Sequence, residues 1–357
     1  MTNFNDDLFS VLSAIFAKID RQTVFRAVEP WADELWTQLR DSGFTTIGAD
    51  ADFADHAAIA KAVGRHAIAL PLPDVGLARW TADRAELAIS DEDVAICAGL
   101  EDQDKVAAVS LDSGRVRLDG AIHRVPWGRQ ATVVILPVTI NDQVRWIALQ
   151  GDRVEVRESV NLANEPRDDL RFCGVETSRV SSVGPQPREV RARGALLRSV
   201  AAVGAMEFVL EASLAYADQR QQFGRPISRF QAVQHHLVLI AEAVASVTAA
   251  VDSAVHCAPE HRLMMAAAAK IMLGEQSAIL TRLAHQVHGA IGATDEHPLQ
   301  LRTRRLWSWQ DEFGTAADWA TDLADELVFP DSPGAWPVLT PPLAELAERN
   351  VGEEIPW

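Results

Sequence analysis

Apolar residues recur at helical spacing toward both ends of the chain and at strand spacing in the middle. From Leu8 through Ile15, and again around Leu35, Trp36 and Leu39, they fall three and four apart, which draws one apolar stripe along a helix. Gly43 supplies a stop, and a further helix is predicted near Ala57 to Val63, closing at Gly64. The following A-L-P-L-P, residues 69–73, is expected to be extended, because each proline restricts its predecessor. Residues 1–90 therefore read as a helical amino-terminal domain.

The period then changes. Runs at 94–98, 105–111, 115–122, 131–138 and 144–150 are short, rich in valine and isoleucine, and bounded by turn residues, so 91–185 reads as a small middle β domain. The stretch S-S-V-G-P-Q-P-R, 181–188, leads back to helix, since its prolines and glycine continue neither period. Over 186–329 four helices are predicted. The first carries Leu196, Val200, Val203, Leu210 and Leu214, and the second a longer stripe from Phe230 through Leu237, Ile240, Val244 and Val247 to Val251. The third is alanine-rich from Ala266, and Trp319, Leu323 and Leu327 mark the last. An antiparallel four-helix bundle buries all four stripes. The tail, 330–357, holds six prolines and is expected to lie extended. The fold class is α+β, mainly α.

With 357 residues the chain is long enough for two or three domains with a sizeable core. No run of 18 uninterrupted apolar residues occurs, so no membrane span is expected. The acidic start M-T-N-F-N-D-D does not read as a signal peptide, and the expected location is cytoplasmic. Cys97, Cys173 and Cys257 lack metal-type spacing and read as buried small apolar residues. A net charge of −17 repels polyanions, which weighs against a nucleic-acid partner. The nearest basic cluster is Arg302, Arg304 and Arg305, suited to a phosphorylated ligand, an acidic partner surface or a solvated helix face.

Two interhelical loops carry the chemistry. R-Q-Q-F-G-R-P-I-S-R-F-Q, Arg220 to Gln231, joins a guanidinium that can fork onto phosphate oxygens, a ring that can cover an adenine or ribose, and a glycine that lets backbone come close. Q-V-H-G-A-I-G-A-T, Gln286 to Thr294, adds an amide and two glycines beside backbone donors. Taken singly, Arg220 reads equally as a helix-end cation, Phe223 as a core ring and the glycines as turn formers. Together, in helical surroundings, the two loops resemble the carboxyl-terminal domain of the acyl-CoA dehydrogenase family. The resemblance implies that Arg220, Phe223, Gly224, Gln231, Gln286, Gly289, Ala290 and Gly292 contact the adenosine and pyrophosphate half of FAD, across a subunit interface. It implies an oligomer, an acyl-CoA substrate, and an electron-transfer flavoprotein or similar acceptor.

The resemblance also implies a catalytic carboxylate, and none stands where it is expected. In most members of the family the base precedes a G-T pair; here that pair is Gly314-Thr315, and Phe313 precedes it. A minority place it early in the first bundle helix, where this chain has Gly194. Glu312 and Asp311 are adjacent, but one step along a helix rotates a side chain by about 100°, so Glu312 is a weak candidate base. Acidity favoured at a helix amino terminus is the other reading of Glu312. The stretch A-I-C-A-G-L-E-D-Q-D-K-V also lacks the threonine and serine with which members of the family hold the flavin ring. Trp127 reads as a core residue or a stacking platform.

These absences resemble the reduced subunit of heteromeric bacterial acyl-CoA dehydrogenases, prominent in steroid degradation, which pair with a larger subunit as α2β2. The expected activity is FAD-dependent α,β-dehydrogenation of an acyl-CoA thioester, with the larger subunit supplying the base and ring pocket. A self-sufficient homo-oligomeric dehydrogenase and a flavin-dependent monooxygenase on the same fold are the alternatives.

Overall fold

The computed structural model describes residues 5–18, 32–47, 52–101, 104–111 and 114–327. The predicted proline-rich tail at 330–357 lies outside the described residues. Among the described residues four helices lead: α1 (Asp6–Phe16), α2 (Asp33–Asp41), α3 (Phe53–His66) and α4 (Leu72–Arg84). The side chain of Asn5 caps α1 by accepting from the Leu8 amide at 3.1 Å. Two expectations change here. Gly64 does not end α3, and Leu72-Pro73 opens α4, where proline's fixed φ and missing N–H suit the first turn.

The reason for Gly64 is tertiary. A Cβ on it would lie 1.7 Å from the Ala201 carbonyl oxygen, and one on Gly204 would lie 2.2 Å from that of Lys61. The two glycines let α3 press backbone to backbone on the first bundle helix.

The β region comprises β1 (Ala95–Cys97), β2 (Lys105–Ser110), β3 (Val116–Pro126), β4 (Val133–Ile140), β5 (Gln143–Gln150), β6 (Glu155–Arg157), β7 (Arg167–Thr177) and β8 (Val180–Ser181). One sheet runs β1-β4-β5-β8, with β1 parallel to β4, and the other runs β2-β3-β7-β6, antiparallel throughout. The first sheet is covered on both faces. Val133 and Ile135 join the helical core, while Val134 and Leu136 meet Leu118, Ile122, Leu170 and Phe172 of the second sheet. Trp127 is 2 % exposed within that second core and offers no platform to a ligand.

The bundle holds α5 (Pro187–Gln219), α6 (Gln231–His256), α7 (Arg262–His288), α8 (Leu299–Trp309) and α9 (Ala316–Leu327), with the two-residue strands β9 (Gln221–Gln222) and β10 (Arg225–Pro226) between α5 and α6. The expected last helix, marked by Trp319, Leu323 and Leu327, is α9, and α8 is a further helix beyond the four expected, with residues 310–315 between them. The break is written in local hydrogen bonds: the Thr315 amide and hydroxyl donate to Asp318 Oδ2, both at 2.8 Å, and the Asp318 amide donates back to Thr315 Oγ1 at 3.2 Å. Phe53, Leu77 and Trp80 share one core with Leu196, Val247 and Leu283, so the leading helices and the bundle are packed as one body. By length and composition α5, α6 and the segment 259–293 could each cross a bilayer, although no uninterrupted apolar run reaches that length. Their stripes face one another: Leu196, Val200, Ile240, Val247, Leu273 and Leu280 lie in this same core.

Candidate functional site

The dinucleotide loops emerge together at one end of the bundle. The α5–α6 hairpin and the end of α7 share that end because α6 runs back along α5 and α7 returns along α6. Tyr216, in the last turn of α5, stacks on His288, in the last turn of α7, with centroids 4.7 Å apart. Between β9 and β10, Phe223 (φ 52°) and Gly224 (φ 78°) both turn through left-handed backbone, the signature of a tight hairpin. That turn thrusts the Phe223 ring outward. It is 92 % exposed, with Phe230 edge-on at 6.1 Å and Arg225 4.3 Å from the Phe230 ring.

Arg220, Gln231, Gln286, Gly289 and Ala290 are also exposed, and nothing lies within 4 Å of a Cβ built on Gly224 or Gly289. Gly292 differs. It is buried, with no room for a side chain, since a Cβ would lie 2.9 Å from His288 Cβ and Leu299 Cδ2. These loops fit the adenosine and pyrophosphate half of a dinucleotide: an accessible cation, an open aromatic face and uncovered backbone.

The other half of a flavin site would lie where the β region meets residues 311–318. A cleft of about 140 Å³ opens there between Cys97–Glu101, the end of β3, and Asp311–Thr315. Sites for drug-sized ligands measure roughly 300–1,000 Å³, so the cleft of this chain alone is smaller than such a site. Phe313 lies across Gly194, where a Cβ would meet its Cε1 at 2.5 Å. The cleft is acidic, with Glu101, Asp104, Asp311, Glu312 and Asp318 on its walls. Burial pushes the carboxyls of Glu101 and Asp104 up. Burial likewise pushes the Cys97 thiol up to about 12, against a contact to Thr81 Oγ1 at 3.5 Å.

Glu312 is engaged on every side. Arg167 Nε and Nη2 donate to it at 2.7 and 3.0 Å, and Arg198 Nε lies 2.8 Å away as an ion-pair contact. Asn161 Nδ2 adds a donor at 3.3 Å. Burial opposes its charge, but the two guanidiniums win and hold the carboxyl down at about 2. A carboxylate so held has no affinity for a proton near neutrality; its geometry is that of an ion-pair partner, and it sits in the 310–315 break rather than at a helix start. The network continues through Glu165, which accepts from Arg305 Nε at 2.9 Å and Trp309 Nε1 at 3.0 Å, and through Asp74, which accepts from Arg198 at 2.8 Å. Beneath it Lys270, fully buried, donates from Nζ to the Trp309 carbonyl at 2.7 Å.

The three arginines read as a ligand site or solvated face are consumed internally. Arg302 is buried, donates to the Arg65 carbonyl at 2.9 Å and stacks 3.8 Å over Phe208. Arg304 reaches the Leu162 carbonyl and Asn164, and Arg305 takes Glu165. The cysteines separate too: Cys97 is buried, Cys257 half-buried and Cys173 exposed, because β7 turns Cys173 to the outer face of its sheet. Sequence reading missed Arg167, Arg198, Glu165 and Asp74; ionisable residues inside apolar periods were the available signal.

Residues 192–315 match the family described as acyl-CoA dehydrogenase, C-terminal domain. Acyl-CoA dehydrogenase IpdE2 of Mycobacterium tuberculosis is 26 % identical over 258 residues, 72 % of this chain and 73 % of that one. The protein of that name from Mycolicibacterium smegmatis is 31 % identical over 179 residues, 49 % of this chain and 56 % of that one. A chain of the ChsE4-ChsE5 complex from Mycobacterium tuberculosis superposes with a TM-score of 0.82 at 20 % identity, covering 91 % of this chain and 97 % of that one. Butyryl-CoA dehydrogenase from Megasphaera elsdenii gives 0.76 at 16 % identity, covering 91 % and 98 %.

Proposed function

From an acyl-CoA dehydrogenase C-terminal domain carried within the acyl-CoA dehydrogenase fold, we propose that this protein is the complementing subunit of a heteromeric, FAD-dependent acyl-CoA dehydrogenase. The observation that carries the reading is an asymmetry: the loops suited to the ADP half of FAD are open, whereas the ring-side cleft is narrow. Arg220 pairs with the pyrophosphate, Phe223 covers the adenosine, and backbone at Gly224 and Gly289 approaches the ligand, with Gln231, Gln286 and Ala290 alongside. Gly292 keeps the second loop tight against α8. When bound, FAD supplies hydride acceptance for α,β-dehydrogenation of an acyl-CoA thioester. Arg167 and Arg198 keep Glu312 ionised and fixed, so the proton acceptor comes from the larger partner.

The likeness to a chain of the ChsE4-ChsE5 complex supports a heteromer, and steroid-derived acyl groups are the substrate class this reading favours. An electron-transfer flavoprotein then takes the electrons.

One observation favours a self-sufficient homo-oligomer. Glu101 lines the cleft with its carboxyl raised by burial, which outweighs Arg191 at 3.8 Å, and this is the environment a general base requires. Coexpression with a larger acyl-CoA dehydrogenase homologue, followed by the ratio of flavin to chain, separates the two. One FAD per pair of unlike chains supports complementation. An isolated chain that is yellow and bleaches with an acyl-CoA, losing the bleaching in Glu101→Gln, defeats it.

A further inference from the structure

Three guanidiniums meet two aromatic faces at the end of the bundle away from the dinucleotide loops. Arg193, near the start of α5, lies 4.4 Å from the Trp80 ring and 4.5 Å from that of Phe53. Arg84 stands over Trp80 at 4.8 Å, and Arg262, the first residue of α7, over Phe53 at 5.2 Å. Among the described residues none of the three forms an ion pair with a carboxylate, although Arg193 is only 5 % exposed. The buried Nε atoms of Arg193 and Arg262 have no hydrogen-bond partner there either. Burial first, then the charges of Arg262 and Arg84, lower the Arg193 guanidinium to about 9, with Glu189 and Asp52 opposing too weakly to restore it.

A cavity of about 90 Å³ opens against this cluster, walled by Trp80, Arg193, Pro259, Arg262 and Leu263, with Glu189 the one lining carboxylate among the described residues. The volume is that of about three waters, enough for one tetrahedral anion. A buried guanidinium without an acceptor is costly, and an oxyanion meeting it bidentately removes that cost. Arg193 and Arg262 line the cavity against Glu189, with Arg84 and Asp52 standing beyond it, so the local field is positive by about one charge. A phosphate group presents three acceptor oxygens to two forking guanidiniums, which a chloride cannot do.

We propose that this pocket binds a phosphate group, gripped by Arg193 and Arg262 with Arg84 adding to the field. The site owes nothing to the flavin loops, since α5 begins here and the loops lie beyond its far end.

Calorimetric titration of the full chain at fixed ionic strength tests it, with inorganic phosphate and glycerol 3-phosphate as probes. Saturable binding is expected, weakened at least tenfold in Arg193→Gln and partly restored in Arg193→Lys, whose point charge cannot fork. Arg84 is exposed, so Arg84→Gln leaves the core untouched and should weaken binding by roughly two- to fivefold through lost field alone. Tighter binding of glycerol 3-phosphate assigns the site to a phosphomonoester, and tighter binding of inorganic phosphate assigns it to the free ion. Absence of saturable heat in the wild type, equal heat from chloride, or unchanged affinity in both Arg193→Gln and Arg84→Gln overturns the proposal.

Discussion

Phe313 packs against Gly194, so close that a Cβ on the glycine would sit 2.5 Å from Cε1 of the ring, 2.7 Å from Cδ1 and 2.9 Å from Cζ. These are the two positions at which the family resemblance expects a base, and here they fill each other. Gly194→Ala should therefore destabilise the chain by about 1–3 kcal/mol, as overpacking does. In a Phe313→Ala background the same change should cost less, because the ring it strikes is gone. Denaturant midpoints of the four chains read the coupling; equal costs in both backgrounds would contradict the contact.

Glu312 links acid stability to the cleft. Its folded carboxyl is held down at about 2, below an unfolded value of about 4.3. A depressed carboxylate contributes stability that is complete above the unfolded value and lost as pH falls from about 4.5 toward 2. Glu312→Gln should cost about 1–3 kcal/mol at neutral pH by removing the carboxylate that Arg167 and Arg198 share, although Arg198 keeps Asp74 and Arg167 keeps Glu165. It should also flatten the decline in stability below about pH 4.5. Turnover in the assembled enzyme should stay close to wild type, since the residue is a positioning partner. Lost turnover with normal flavin content would reinstate it as the base.

Lys270 acts on the other side of neutrality. Burial is the largest influence on its amine, and its folded value falls to about 7, against about 10.4 unfolded. Between those values the unfolded chain binds more protons, so this group makes stability rise with pH from about 7 to 10. Lys270→Met should remove that rise and raise the denaturation midpoint at pH 6, where the native amine is charged and buried. A midpoint that still climbs to pH 10 in the variant would assign the effect elsewhere.

Arg220 and Phe223 are exposed, so their removal should leave the melting temperature of the isolated chain within about 1 °C, in line with surface substitutions generally. In the assembled enzyme Arg220→Ala should lose a charge-assisted contact of roughly 1.5–3 kcal/mol, weakening FAD retention by about 10- to 150-fold. Phe223→Ala should weaken it too, by loss of a stacking face. Equal FAD content after dialysis in wild type and both variants would remove the loops from cofactor binding.

Much of this was legible along the chain. Helical periods placed the stripes of α5 and α6, alanine richness placed α7, short apolar runs bounded by turn residues placed β1 to β5, and the hairpin and second loop stood out by composition. The strand β7 was not read, because R-D-D-L-R-F-C-G-V-E-T carries five charged residues among its eleven and lacks the valine- and isoleucine-rich run that marked the other strands. The helix α8 was not counted as a helix of its own either, although the Thr315–Asp318 capping pair was present in the sequence as the sign that a new helix opens after it.

By itself the sequence determined what depends on neighbours a few residues away: helix and strand periods, turn residues, the two glycine-bearing loops, and the absence of a carboxylate beside Gly314-Thr315. Only the tertiary structure decided that Gly64 and Gly204 are a helix crossing, that Phe313 covers Gly194, and that Asp74, Glu165, Arg167, Arg198, Arg305 and Glu312 form one buried network. The reason is that such contacts join segments far apart in the chain. No local period records them, and the charge of each residue acquires its role when its partner is brought within about 3 Å by packing.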